Sequence, residues 1–222
     1  MAKVGVVLSG CGVFDGAEIH EAVLTMLALD ERDAQIVCMA PSGPQMHVIN
    51  HITGDVTGET RDVLVESARI ARGEITDIAD VSAADVDALV FPGGFGAAKN
   101  LCDFATKGPN CTVHPEVSRL VREMHSAGKP LGFACISPTM AAKIFQEAGV
   151  EVSLTVGGDQ DDAAHAIRAM GAVHVGCAVT DANMDEANRV STTPAYMTAQ
   201  RITEVRAGIN EMVGQVMGML SA

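Results

Sequence analysis

The residues from Pro130 to Met140 put a cysteine where nucleophilic chemistry is favoured. A strand-like run, Pro130-Leu131-Gly132-Phe133-Ala134, ends in Cys135, and Ile136-Ser137-Pro138-Thr139-Met140 reads as the start of a helix. A cysteine at such a turn holds its sulfur above the sheet edge, facing the positive end of the helix, and both effects favour the thiolate. Gly132 gives slack before the turn, and Pro138 falls in the first helical turn, where a missing N–H costs nothing. The competing reading is a buried structural thiol, because an unpaired cysteine mostly packs as a small apolar residue.

Two further turns carry matching chemistry. Gly16-Ala17-Glu18-Ile19-His20-Glu21 follows the first strand-like run, and Glu18 and Glu21, three apart, share one side of a first helical turn. One of them can approach Cys135 and trade a proton with its sulfur or a substrate, while a surface position near a helix N-terminus is the plain alternative for both. Phe91-Pro92-Gly93-Gly94-Phe95-Gly96 ends another strand. Adjacent glycines are ordinary turn residues, but they also let backbone N–H groups approach a developing oxyanion unobstructed. Strand ends of a parallel sheet gather on one edge, so the three turns can supply a nucleophile, a carboxylic acid and amide donors to one place.

Other constellations fail on spacing. Gly10-Cys11-Gly12-Val13-Phe14-Asp15-Gly16 follows a strand, yet its glycines have one residue too many between them for a dinucleotide fingerprint, and Ile36-Val37-Cys38-Met39-Ala40-Pro41 ends without an acid for a ribose. His47 and His51 stand four apart among helix breakers, without the glutamate of a zinc-protease helix. Asp159, Asp161 and Asp162 lack the glycine and closing glutamate of a calcium loop and read as a solvated helix N-terminus. No Cys-x-x-Cys pair occurs, so neither metal nor cofactor is expected. Cys11 is a candidate resolving thiol for Cys135, with core packing the stronger reading.

The elements that must position these turns alternate between apolar β-branched runs and helical patterns, the mark of a parallel sheet covered on both faces. Strands are expected over residues 4–8, 35–39, 88–91, 131–134, 173–177 and 190–193. Helices are expected over 17–29, 60–71, 115–127, 138–148, 163–170 and 196–220. Ala127-Gly128-Lys129-Pro130 is a legible helix stop. No repeat or low-complexity linker divides residues 1–222, so one domain is expected. The irregular stretch 41–60, carrying His47, Asn50 and His51, is expected to pass over the C-terminal edge of the sheet, where open α/β sheets bind ligands.

Lys and Arg total 15 against 28 Asp and Glu, a formal charge of −13 that argues against nucleic acid or an anionic membrane surface as partner. No apolar run approaches a membrane span, and the N-terminal run is too short for a signal peptide and reads as the first strand. A cytosolic protein with six reduced cysteines is the resulting expectation.

At these residues the chain resembles the ThiJ/PfpI superfamily of the class I glutamine amidotransferase-like fold. The matching pieces are Gly16-Ala17-Glu18 through Glu21, Pro92-Gly93-Gly94, and Ala134-Cys135 with Ser137-Pro138. It is most similar to the ElbB branch, the enhancing lycopene biosynthesis or isoprenoid biosynthesis glyoxalase proteins. That match runs through Ser9-Gly10-Cys11-Gly12-Val13, Val48-Ile49-Asn50-His51, Pro92 to Leu101 and Thr192-Thr193-Pro194-Ala195-Tyr196-Met197. The resemblance implies a flavodoxin-like three-layer α/β sandwich with a mostly parallel sheet and a cysteine nucleophile elbow. It implies Cys135 as nucleophile, Glu21 as the glutamate contacting it with Glu18 in reserve, and Gly94 and Ile136 as oxyanion-hole N–H donors. Gly93, Asn50 and His51 are substrate-pocket candidates. One departure stands out: the superfamily's hydrolases carry a histidine after the elbow, and Leu154-Thr155-Val156-Gly157-Gly158-Asp159 has none. Only His165 and His174 follow Cys135, and a Cys-His-acid hydrolase is therefore disfavoured. The resemblance implies a cofactor-free glyoxalase acting on glyoxal or methylglyoxal, in a homodimer. The alternatives are a cysteine redox sensor or an accessory factor of isoprenoid biosynthesis, and, more remotely, a glutaminase.

Overall fold

The structure, a computed structural model, describes residues 1–220. In chain order its strands are β1 (Lys3–Val7), β2 (Gln35–Ala40), β3 (Thr76–Asp77), β4 (Ala88–Phe91), β5 (Leu131–Ala134), β6 (Ser153–Leu154), β7 (Val173–His174), β8 (Asn183–Asp185) and β9 (Val190–Thr193). The helices are α1 (Ile19–Asp30), α2 (Val63–Ile70), α3 (Phe95–Lys99), α4 (Phe104–Lys107), α5 (Pro115–Ser126), α6 (Ser137–Ala148), α7 (Asp162–Ala169) and α8 (Ile202–Leu220). Seven strands form one sheet in the order β3-β2-β1-β4-β5-β9-β8, parallel except for the edge strand β8. Strands β6 and β7 make a separate parallel pair. This is the flavodoxin-like α/β architecture expected of a class I glutamine amidotransferase-like protein.

Period-two alternation explains why the sheet has a core on each face. Val4, Val6, Leu8, Ala88, Val90 and Ala134 pack with α1 and α8, whereas Val7, Leu89, Phe91, Leu131 and Phe133 pack with α5 and α6. Phe91 and Phe133 are register partners in neighbouring strands and stack with ring centroids 4.8 Å apart, both fully buried. Phe133→Ala is expected to lower stability by about 3–5 kcal/mol, read as the shift in a urea unfolding midpoint.

The chain leaves β1 for β2 on one side and later places β4 on the other, so the strand order reverses beside β1. Ligand crevices in open α/β sheets form at this kind of switch point. The turns after β1, β4 and β5 meet there, because the three strands are consecutive neighbours.

Several boundaries differ from expectation. The strand expected at 173–177 is two residues long and belongs to the small second sheet. The helix expected from 60 starts at Val63, because the Asp62 side chain accepts the Val65 N–H and caps it. The helix expected over 196–220 begins at Ile202, and Ala195–Met197 form a separate 3-10 turn. Strands β3, β6 and β8 were not expected, since Thr76-Asp77, Ser153-Leu154 and Asn183-Met184-Asp185 are short and polar and carry no apolar alternation.

Candidate active site

Cys135 is the turn between β5 and α6 and holds φ at 61°, a left-handed value that a non-glycine residue rarely adopts. The surroundings fix it. Its N–H donates to Thr193 O at 2.9 Å, which carries the β5–β9 ladder one residue further. Ser137 Oγ lies 2.8 Å from Ala134 O and 3.0 Å from Phe91 O, tying the start of α6 to two strands, and Pro138 occupies the first turn. The sulfur is thereby presented at the sheet edge while the residue remains only 8% exposed.

The structure separates the two glutamates. Glu18 is the N-cap of α1, in an extended conformation, and its Oε2 accepts the Glu21 N–H at 2.7 Å. Glu21 points inward and is fully buried. Its Oε2 accepts the Gly93 N–H at 2.9 Å, its Oε1 accepts the Tyr196 N–H at 3.2 Å, and the carboxyl meets the Cys135 thiol. Burial, reinforced by the charge of Glu18, pushes Glu21 up to about 7, so near neutral pH it can both accept and give a proton.

The thiol does not follow the elbow expectation. Burial first, then the Glu21 charge, push Cys135 well above its ordinary value, and the N–H groups of Gly94 and Ile136 pull only partly the other way. Two negative charges cannot share this enclosed space, so the pair holds on to one proton. The thiol is therefore held in its protonated form, with the Glu21 carboxyl against it.

The raised Glu21 pKa carries a sign. A carboxyl more basic in the folded than in the unfolded chain binds more protons when folded, so stability falls as pH rises from about 4.5 to about 7, and this contribution is flat above. Between pH 5 and pH 8 the wild type is expected to lose roughly 2.5 kcal/mol more than Glu21→Gln, by urea unfolding at each pH.

Glycines join the turns after β1 and β4 backbone to backbone. Glu18 N–H donates to Gly93 O at 3.0 Å, Gly96 N–H to Gly16 O at 2.9 Å, and Phe95 N–H to Val13 O at 2.8 Å. A Cβ on Gly94 would come within 2.5 Å of Gly16 O, and one on Gly96 within 2.5 Å of both Gly16 C and Ser9 O. The glycine-rich stretch after β1 thus serves turn-to-turn packing.

A cavity of about 480 Å³ opens above Cys135, with walls of Val13, Glu18, Gly94, Phe95, Phe104, Ile136, Asp161, Asp162, Ala163, Tyr196 and Met197. Gly93 lies beneath it, against Cys135 and Glu21. Asn50 and His51, expected in the pocket, are not on its wall. Asn50 Oδ1 accepts the Ile52 N–H within its own loop, and His51 Nε2 accepts the Phe14 N–H with its ring against Phe14. The 41–60 segment instead braces the first turn, where Asp15 Oδ2 accepts the Ile49 N–H at 2.7 Å and Asn100 Oδ1 accepts the Met46 N–H at 3.0 Å. Cys11 lies under the influence of Glu66 and Arg69, beside α2, and is also off the wall. His174 ends β7, but its Nδ1 is 3.0 Å from Asp159 Oδ1 and its Nε2 accepts the Val156 N–H, while His165 is exposed on α7.

Three polar wall residues and one neighbour are not among the residues the sequence singled out for the site. Asp161 and Asp162, read as solvated, face the cavity from the start of α7. Tyr196 was placed on a helix, yet it lines the cavity and meets His20 Nδ1 through its hydroxyl at 2.8 Å.

No family model matches the chain. A human protein, glutamine amidotransferase-like class 1 domain-containing protein 3, mitochondrial, is 50% identical over 97% of this chain and 82% of its own length. The ES1 protein homolog, mitochondrial, of Rattus norvegicus is 48% identical over 97% of this chain and 83% of its own. Among solved structures, an isoprenoid biosynthesis protein with amidotransferase-like domain from Ehrlichia chaffeensis superposes with a TM-score of 0.93 at 38% identity, covering 99% of this chain and 100% of that one. A DJ-1 superfamily protein from Agrobacterium tumefaciens shares the fold at 16% identity, with a TM-score of 0.54 over 100% of this chain and 90% of that one. The mitochondrial relatives overturn the expected cytosolic location. That expectation rested on unpaired cysteines and the lack of a spanning run, features that other reducing compartments share. The chain belongs to the ES1 family of glutamine amidotransferase-like class 1 domain proteins.

Proposed function

We propose that the chain is a glyoxalase that converts glyoxal to glycolate, or methylglyoxal to lactate, with its own side chains. The observation that carries this reading is a fully buried carboxyl pushed up to about 7, set against a thiol at the floor of a cavity. As sulfur bonds to one aldehyde carbon, Glu21 takes the thiol proton, and the new oxyanion faces the Gly94 and Ile136 N–H groups. Glu21 returns that proton to the oxygen, giving a neutral hemithioacetal. The carboxylate then removes the proton on the sulfur-bearing carbon and delivers it to the neighbouring carbon, leaving a thioester of a 2-hydroxy acid. Water cleaves the thioester, releases the acid and restores the thiol.

A glutaminase fits less well. Glutamine carries an α-carboxylate, and the cavity wall offers three carboxylates, Glu18, Asp161 and Asp162, and no Lys or Arg. Adding ¹³C-glyoxal to the purified protein and following the mixture by NMR is the test. Glycolate should accumulate in proportion to protein concentration, and none above the protein-free control overturns the proposal.

A further inference from the structure

Cys135 and Glu21 handle the protons on sulfur and carbon, but the isomerisation also moves one between oxygens. As the enediol forms, the oxygen on the second carbon becomes negative and must gain a proton, whereas the hydroxyl on the first carbon loses one when the thioester carbonyl forms. Glu21 is walled in by Gly93 and Tyr196 backbone and by Cys135, and during this step it carries the carbon-bound proton.

A second pair of groups is placed for the oxygen. Tyr196 is on the cavity wall, and its hydroxyl lies 2.8 Å from His20 Nδ1, although the two residues are 176 positions apart. The His20 side chain is 53% exposed, and its Nδ1 is also 4.0 Å from Glu18 Oε1. Partial burial and the charges of Glu18 and Glu21 hold the Tyr196 hydroxyl above its ordinary range, which keeps the phenol protonated and able to donate.

We infer that Tyr196 and His20 form a proton relay between the Cys135 cavity and solvent, with Tyr196 a catalytic donor to the second substrate oxygen and His20 the residue that recharges it. This rests on the glyoxalase reading. In the tautomer with a proton on Nδ1, His20 donates to the phenol oxygen and leaves the Tyr196 O–H free for substrate. Tyr196 gives its proton to the enediolate oxygen and takes the Nδ1 proton, while solvent protonates His20 at Nε2. The proton lost by the first-carbon hydroxyl goes to water, so the cycle balances and His20 regains its starting form by exchange. The same turn thus contributes twice, its backbone N–H to Glu21 and its phenol to the substrate.

The test compares Tyr196→Phe and His20→Ala with wild type, since Phe keeps the ring and the backbone N–H. Turnover of glyoxal in Tyr196→Phe should fall on the order of 10²-fold with KM changed by less than about threefold. His20→Ala should also slow, and added imidazole should restore part of its rate. Alkylation of Cys135 by iodoacetamide should stay near the wild-type rate in both. The inference is overturned if both variants keep wild-type turnover, or if alkylation falls in step with turnover, which would mean the pair only supports the site. Should wild type make no glycolate, the glyoxalase reading fails by itself. The relay is then judged by the ¹⁵N shift of His20 Nδ1 on Tyr196→Phe: a displaced signal supports the hydrogen-bonded pair, and an unmoved one removes it.

Discussion

Cys135→Ala is expected to bring glycolate formation down to the protein-free background, a loss on the order of 10⁴-fold or more. The size of the effect follows from covalency. Without sulfur there is no hemithioacetal, and Glu21 has no bound carbon to act upon. The fold should survive, because Cys135 is one small side chain in a large core and its backbone is held by the Thr193 carbonyl and the start of α6, which alanine leaves intact. Urea unfolding should therefore place Cys135→Ala within about 1–2 kcal/mol of wild type. Glycolate formation persisting in this folded variant would remove the nucleophile from the proposal. Because the thiol pKa is raised by burial and Glu21, Glu21→Gln is the companion variant, and it tests whether proton removal by the carboxyl is needed for attack.

Gly93→Ala is expected to disable the site by geometry alone. The added methyl would overlap Cys135 Cβ and stand 2.6 Å from Glu21 Oε2 and 2.8 Å from Cys135 Sγ. Nothing flexible is available to yield, since Glu21 is held by two backbone N–H groups and Cys135 by its turn. Displacing either group by about an ångström costs on the order of 10²-fold in rate. Overpacking a closed core adds about 1–3 kcal/mol of destabilisation. Gly58→Ala is the matched control, as its Cβ would meet nothing within 4 Å. The two variants should differ in turnover, in the rate of Cys135 alkylation and in urea midpoint. Equal behaviour would show that close contact between thiol and carboxyl is not required.

Much of this arrangement is legible before folding, for local reasons. Apolar or β-branched runs mark β1, β2, β4, β5 and β9, and the turn residues after β1, β4 and β5 mark where chemistry can gather. Cys135, Glu21 and the Gly93-Gly94 pair are each visible as residue types at strand ends. The short strands were not, because two or three polar residues carry no period; they exist through pairing with partners made elsewhere, as Ser153–Leu154 does with Val173–His174.

The sequence by itself determined the kind of sheet, the elbow and the candidate acid and amide donors, because those depend on patterns a few residues long. It also carried the missing histidine after the elbow, and with it the turn away from a hydrolytic triad. Only the tertiary structure decided which glutamate meets sulfur: α1 begins at Ile19, so Glu18 becomes the cap and folds back on the Glu21 N–H while Glu21 enters the sheet edge. Only the tertiary structure raised the thiol, since burial and an opposing carboxylate belong to an enclosed space and not to a motif. It took Asn50 and His51 off the cavity and put Asp161, Asp162 and Tyr196 on it, with His20 behind the phenol. Those assignments depend on strand order and on where a helix starts, which bring side chains 176 residues apart within 2.8 Å and which no local spacing encodes.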